Sequence, residues 1–229
     1  MQKGVILGLG EFGYYLSLSM AKSGVDLLVI DKDEVRINKI KNFVTDAIIA
    51  DVIIEDDLSV LIPDEHIDFA VISLGNLEAS LLATLYFKDK NFKNLYVKAI
   101  NDQHLRILKK LKIKNILFPE RDSAERLGKT LSLKTILEYI PISSNYRLIE
   151  VKAIHKIANK TLQELHFRKI YKLSIIAIKN ESDYTFDLTA QTKINKNDIL
   201  LVIGTDEAIE KYNKLAEKEK KRFPAFRGN

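Results

Sequence analysis

The chain has 229 residues, 46% of them hydrophobic and 29% charged, with a formal net charge of +5; this is the composition of a folded globular protein of one large or two small domains, and it excludes disorder over most of the length. With no cysteine, disulfides, thiolate metal sites and cysteine nucleophiles are excluded, as suits a reducing cytosol. The opening MQKGVILGLGEFG has too short an apolar run for a secretory signal, and no stretch approaches the roughly 20 apolar residues that cross a bilayer, so the chain is expected to span no membrane.

Short apolar runs at residues 4–7, 27–30, 47–50, 69–73, 95–99 and 116–118 read as strands buried on both faces. Between them, apolar residues recur at three and four spacing: Phe12, Leu16 and Met20; Leu77, Leu81, Leu82 and Leu85; Leu105, Leu108 and Leu111. Strands alternating with helices predict an α/β domain with a Rossmann-like, doubly wound parallel sheet. From 122 to 139 the spacing of Ala124, Leu127, Leu131, Ile136 and Ile140 predicts one long helix, whose stripe packs either on a second subunit or within its own chain.

PISSN at 141–145 reads as a linker, since proline, serine and asparagine interrupt regular elements. It sets a first domain at 1–140 and a second at 141–229. Beyond it, residues 148–151, 174–178, 184–188 and 199–203 read as strands. Thr161 and Glu164 form a capping box for a helix through about Lys169, and a last helix starts at Asp206. This is a small α+β domain, short for a generous core, which pairing with a second copy would extend. The cations Lys218, Lys220, Lys221, Arg222 and Arg227 read as a solvated tail or a contact for anionic surfaces. No recognition helix, zinc finger or aromatic RNA-binding signature accompanies them, so nucleic acid is not expected as a partner.

The hexapeptide Gly8-Leu9-Gly10-Glu11-Phe12-Gly13 fits G-x-G-x-x-G. Alone this is a weak signal, but here it follows an apolar strand and opens an amphipathic helix. Gly8 permits the tight turn, Gly10 lets a pyrophosphate approach the backbone, and Gly13 lets helix and sheet pack closely. The helix start offers unpaired amides and a positive dipole end to phosphates. Asp31, about 20 residues on, is placed to hold ribose hydroxyls and to repel a ribose 2′-phosphate, which disfavours NADP. Glu11 suits the helix dipole but repels a polyphosphate; it points away or works through a bound cation. Asp51 either approaches the adenosine or caps the next helix. Lys32 and Val52 neighbour these carboxylates, and Ser73, Leu74 and Gly75 lie at the carboxyl edge of the fourth strand, where ligands of such sheets bind. Lys98 either reaches a phosphate or is an edge cation. The ligand expected is an adenine nucleotide. The four histidines, His66, His104, His155 and His166, are isolated, and no Ser/His/Asp group or P-loop lysine stands out, so no enzyme activity is expected.

These parts in this order resemble the RCK (KTN) family, the cytosolic subunits of Ktr/Trk potassium uptake systems. The likeness runs through VILGLGEFG, VIDKD, IIADV, LYVKAIND and FPERD, and then through NKTLQELHFRKIYKLSIIAIKN and INKNDILLVIGTDEAIEKY, nearly the whole chain. The resemblance implies a homodimer assembling into an octameric ring beneath a membrane potassium channel subunit, cytoplasmic and peripheral to the inner membrane. It implies an N-terminal site for NAD(H), ATP or ADP whose exchange biases the channel gate. Gly8, Gly10 and Gly13 would line phosphates, Asp31 would hold ribose, Asp51 would approach adenine, and Glu120 would sit near a divalent cation. Glu120 also begins the long helix, where it reads equally as a cap. Some members bind cyclic di-AMP in the second domain, where Arg168, Ile170 and Ile175 fall. Glu11 departs from the arginine that Ktr-type members commonly carry against the terminal phosphate, which leaves the choice of nucleotide open. The competing readings are an NAD-dependent oxidoreductase and a free-standing nucleotide sensor with another partner.

Overall fold

The computed structural model describes residues 2–53, 58–62, 67–133, 136–180 and 183–222. Its contacts divide the chain into two compact units, Met1–Glu120 and Arg121–Asn229. The first unit runs β1 (Lys3–Leu7), α1 (Glu11–Lys22), β2 (Asp26–Asp31), α2 (Glu34–Ile40), β3 (Asp46–Ile49), α3 (Leu58–Leu61), β4 (Phe69–Ile72), α4 (Leu77–Asp89), β5 (Leu95–Lys98), α5 (Asp102–Lys110) and β6 (Asn115–Leu117). Helix α6 (Pro119–Ser132) then begins. It is followed by β7 (Ile136–Pro141), β8 (Tyr146–Lys152), β9 (Lys160–Thr161), α7 (Leu162–Leu165), α8 (Phe167–Tyr171), β10 (Ser174–Asn180), β11 (Asp183–Thr185), β12 (Lys193–Ile194), β13 (Ile199–Thr205) and α9 (Asp206–Arg222).

In the first unit all six strands are parallel, in the order β3-β2-β1-β4-β5-β6. The two-residue side-chain period of a strand sends Val5, Leu7, Ala70 and Ile72 into one core and Ile6, Phe69 and Val71 into the other. Both faces are therefore covered, which is why these strands read as continuous apolar runs. The strand order reverses between β1 and β4. Their carboxyl ends open a crevice there, the usual place for a ligand in such a sheet.

Two helical faces differ from the periodic reading. On α4 the buried residues are Ala79, Ser80, Ala83, Thr84 and Phe87, while Leu77, Leu82 and Leu85 are exposed. Small side chains bring this helix close to the sheet, and the row Ala79–Ala83–Phe87 has the same spacing as the leucine row. On α1 the buried positions are Gly13 and Ser17, with Leu16 and Met20 half-buried beside them. Leu105 and Leu108 of α5 are buried as expected.

The helix expected over 122–139 ends at Ser132, and Ile136 and Ile140 belong to β7. Antiparallel pairing with β8 takes them over: Ile136 lies opposite Val151 and Ile140 opposite Leu148. Their helical spacing was a coincidence of β-branched residues that suit a strand. The expected linker is no boundary between compact units. Pro141 still pairs with Arg147, and residues 142–145 make the β7–β8 turn. Ile142 N donates to Tyr146 O at 3.0 Å, and the Ser143 hydroxyl accepts from Tyr146 N at 3.2 Å.

The second unit is α+β. It holds a five-stranded antiparallel sheet, β11-β10-β13-β8-β7, and a two-stranded one, β12-β9. Ile149, Val151, Leu200 and Val202 form one core with Leu165, Phe167, Tyr171, Ile209 and Tyr212. The capping box is present: Thr161 N donates to Glu164 Oε2 at 2.7 Å, and Glu164 N to Thr161 Oγ1 at 3.3 Å. The helix it starts is broken at His166, whose φ of +42° is left-handed, so α7 and α8 replace one continuous helix. The strand expected at 184–188 ends at Thr185. His66 and Arg227 lie outside the described residues.

Candidate functional site

The chain leaves β1 through Gly8, whose φ is +95°, a conformation that side chains other than glycine's rarely tolerate. A Cβ there would lie 2.7 Å from the carbonyl oxygen of Ser73, so the turn out of β1 fits flush against the end of β4. Gly10 is the N-cap of α1, and no side chain caps it. A Cβ on Gly10 would meet nothing within 4 Å among the described residues. The first helical bond runs from Tyr14 N to Gly10 O at 2.9 Å, so the amides of the first turn have no intrahelical partner. A Cβ on Gly13 would lie 1.9 Å from Gly8 O. The third glycine thus allows the helix to close on the loop itself.

Asp31 ends β2 and is 5% exposed. Its Oδ2 accepts from Leu9 N at 2.5 Å, and its Oδ1 from Asp33 N at 2.8 Å. The carboxylate therefore ties the glycine loop to the β2–α2 turn, a role the sequence pattern did not reveal. Asp33 N-caps α2, accepting from Val35 N at 2.9 Å. One turn further on, Arg36 Nη1 lies 3.5 Å from Asp31 Oδ2, and its Nε 3.3 Å from Asp33 Oδ2.

Asp51 follows β3 and accepts from Ile53 N at 3.2 Å and from Lys32 Nζ at 3.1 Å. These two bonds, the backbone one foremost, hold its carboxyl below the usual range. It closes a local turn, and no helix begins at that point among the described residues. Ser73 N pairs with Leu7 O at 2.7 Å, whereas the buried Ser73 hydroxyl has no hydrogen-bond partner among the described residues. Lys98, at the end of β5, pairs with Glu120 Oε1 at 2.6 Å, and this bond holds the Glu120 carboxyl below its ordinary value.

Gly8, Gly10, Asp31, Lys32, Asp51, Val52, Ser73, Leu74, Gly75 and Lys98 line one cleft of about 310 Å³, at the lower end of the range for small-molecule sites. Glu11, Phe12 and Gly13 sit on α1 outside this lining, Glu11 exposed and Phe12 half-buried. Asp33, Arg36, Asn76 and Ala79 line the cleft as well and were missed. The N-cap signature in DKDEVR and the asparagine before α4, which accepts from Ala79 N at 2.9 Å, could have placed them there.

Among the described residues no three His, Cys, Asp or Glu side chains gather as metal ligands, and Glu120 has Lys98 as its partner. In the second unit Arg168 and Ile170 are exposed on α8, and Ile175 is half-buried against the core. The β10 bulge falls between Ile175 and Ala177, and Ile176 is exposed there. His104 is buried, its Nδ1 accepting from Ile100 N at 3.3 Å. No helix among the described residues is long and apolar enough to cross a membrane.

Residues 4–119 match the TrkA-N domain, and residues 146–216 the TrkA-C domain. The chain is 32% identical to the Ktr system potassium uptake protein C of Bacillus subtilis (strain 168) over 212 residues, covering 91% of this chain and 95% of that protein. Among solved structures it is similar in fold to the GsuK RCK domain, with a TM-score of 0.61 and 15% identity over 94% of this chain and 47% of that one. It is also similar to the GsuK channel bound to NAD, with a TM-score of 0.52 and 18% identity over 94% of this chain and 38% of that one. The chain belongs to the family of the Ktr system potassium uptake proteins, built of a TrkA-N and a TrkA-C domain.

Proposed function

We propose that this chain is the nucleotide-binding regulatory subunit of a membrane potassium uptake system, acting as a gate control and not as an enzyme. The observation that carries the reading is the cleft at the β1–β4 reversal. There an uncapped α1 start and open space above Gly10 meet beside Ser73, whose buried hydroxyl has no hydrogen-bond partner among the described residues. An adenine nucleotide, NAD(H), ATP or ADP, fits it with the diphosphate over Gly10, a ribose against Asp31 and the adenine toward Asp51 and Val52. Lys98 reaches a phosphate by leaving Glu120, and Glu120, so released, is a candidate ligand for a divalent cation held beside that phosphate.

In this reading the subunit works in the cytoplasm, against the inner membrane through its channel partner. It forms a homodimer that builds an octameric ring, with the unit Met1–Glu120 as the nucleotide domain and the unit Arg121–Asn229 as the regulatory domain. Arg168, Ile170 and Ile175 would contribute to a cyclic di-AMP site in the latter. A nucleotide moves the gate only by binding one ring conformation better than the other. A shift from 1:99 to 99:1 takes roughly 5.5 kcal/mol, which several sites per ring would share.

Calorimetry of the purified chain with NADH, ATP and ADP tests the reading. Saturable binding that Asp31→Ala weakens for every nucleotide supports it; absence of binding, or affinities untouched by that change, overturns it. Steady turnover of NADH with carbonyl substrates would contradict the non-enzymatic role, and co-purification with a potassium channel subunit would support the partner.

A further inference from the structure

We infer that Arg36 is a specificity-determining residue of the cleft, which lets the ribose end accept a 2′-phosphate, so that NADPH binds alongside NADH. The inference rests on the nucleotide reading given above. From the sequence alone, Asp31 is a carboxylate aimed at the ribose and so a barrier to a second negative group there. The structure changes that balance. The Asp31 carboxylate is almost fully buried and engaged by the amides of Leu9 and Asp33. Its charge is further offset by the Arg36 guanidinium 3.5 Å away. What faces the open cleft beside it is cationic on two sides. Lys32, the residue after Asp31, and Arg36, one turn into α2, both line the cleft and keep 66% and 49% of their side-chain surface exposed.

The counter-charges are Asp51, paired with Lys32 at 3.1 Å, and Asp33, paired with Arg36 at 3.3 Å. Exposed pairs of this kind contribute little and exchange readily. A phosphate, which offers three acceptor oxygens, competes well for them. The guanidinium suits the task better than an ammonium, because its planar fork binds two phosphate oxygens at once while a further N–H stays on a carboxylate. A nucleotide with free 2′ and 3′ hydroxyls makes no use of that fork and depends on Asp31 instead. Arg36 therefore affects the two ligands unequally.

The test is direct binding of NADH and NADPH to the full chain by calorimetry, for wild type, Arg36→Ala, Arg36→Lys and Lys32→Ala. Thermal unfolding of each variant is recorded alongside to verify the fold. The expected result is that wild type binds both dinucleotides within about tenfold of each other. Arg36→Ala should weaken NADPH by about tenfold or more, the scale of a lost charge-assisted pair, while NADH moves by less than about threefold. Arg36→Lys should restore part of the loss, and raised salt should weaken NADPH more than NADH. An unchanged NADPH-to-NADH ratio in a folded Arg36→Ala protein overturns the assignment and leaves the nucleotide cleft standing, as does wild-type protein that binds NADH and rejects NADPH. If wild type binds neither dinucleotide nor any adenine nucleotide, the cleft reading falls and this inference with it.

Discussion

The amide of Leu9 donates to Asp31 Oδ2 at 2.5 Å, joining the middle of the glycine loop to the tip of the neighbouring strand. One carboxylate thus sets the shape of the glycine loop, at the place where the proposed function puts a ribose. Replacing it does two things at once. Asp31→Ala leaves the buried amide of Leu9 and the part-buried amide of Asp33 without their acceptor, at a cost of about 1–3 kcal/mol for the buried one and less for the other. The expected result is a loss of that order in chemical denaturation together with weaker nucleotide binding. Asp31→Asn, which keeps one acceptor oxygen, should recover part of the stability but little of the binding.

Gly10 and Gly13 separate binding from folding. A methyl group on Gly10 meets open space, whereas on Gly13 it meets the Gly8 carbonyl at 1.9 Å. Gly13→Ala should destabilise by about 1–3 kcal/mol through overpacking. Gly10→Ala should leave thermal unfolding within a few degrees of wild type and weaken nucleotide binding, because its methyl group occupies the approach to the helix start. Equal loss of stability in both variants would contradict the geometry.

The Lys98–Glu120 pair sets a pH prediction. The Lys98 hydrogen bond depresses the Glu120 carboxyl. A depressed folded-state pKa contributes stability that is present above the ordinary glutamate value of about 4.3 and is lost as pH falls through the lower folded value. With Glu120 62% exposed, that contribution stays below about 1 kcal/mol. Carboxyl-detected NMR titration should give Glu120 a midpoint below that of ordinary glutamates. Lys98→Met should return it to the ordinary range, and saturating nucleotide, by drawing Lys98 to phosphate, should raise it.

Tyr184 reports on the second unit. Its hydroxyl donates to Glu150, and desolvation, together with that carboxylate, pushes the phenol up to about 12. A raised folded-state pKa means that its stabilising contribution is whole below the unfolded value of about 10 and is lost as pH rises through about 12. Ultraviolet difference titration should show a late-ionising tyrosine that Tyr184→Phe removes. An unchanged titration curve in the variant would contradict the assignment.

The parallel sheet was legible because strands buried on both faces leave continuous apolar runs. Residues 4–7 and 69–73 fall within one or two positions of β1 and β4. The glycine loop and Asp31 were legible because each step of the G-x-G-x-x-G pattern has a steric cause. Other features were not. Leu77 and Leu85 mark the outward face of α4 because Ala79 and Ala83 share their spacing, and periodicity alone does not say which row packs on the sheet. Ile136 and Ile140 joined a helical stripe because the pairing that claims them comes from β8, a separate element. Arg36 was passed over because its meaning depends on distances to Asp31 and Asp33 that only the folded turn creates.

The most direct test of the central claim is a crystal structure of the chain grown with saturating NADH. The expected structure has a diphosphate over Gly10 at the start of α1, a ribose within hydrogen-bonding distance of Asp31, and the Ser73 hydroxyl turned to the ligand. A cleft filled by its own side chains, or a dinucleotide bound away from the β1–β4 reversal, would contradict it.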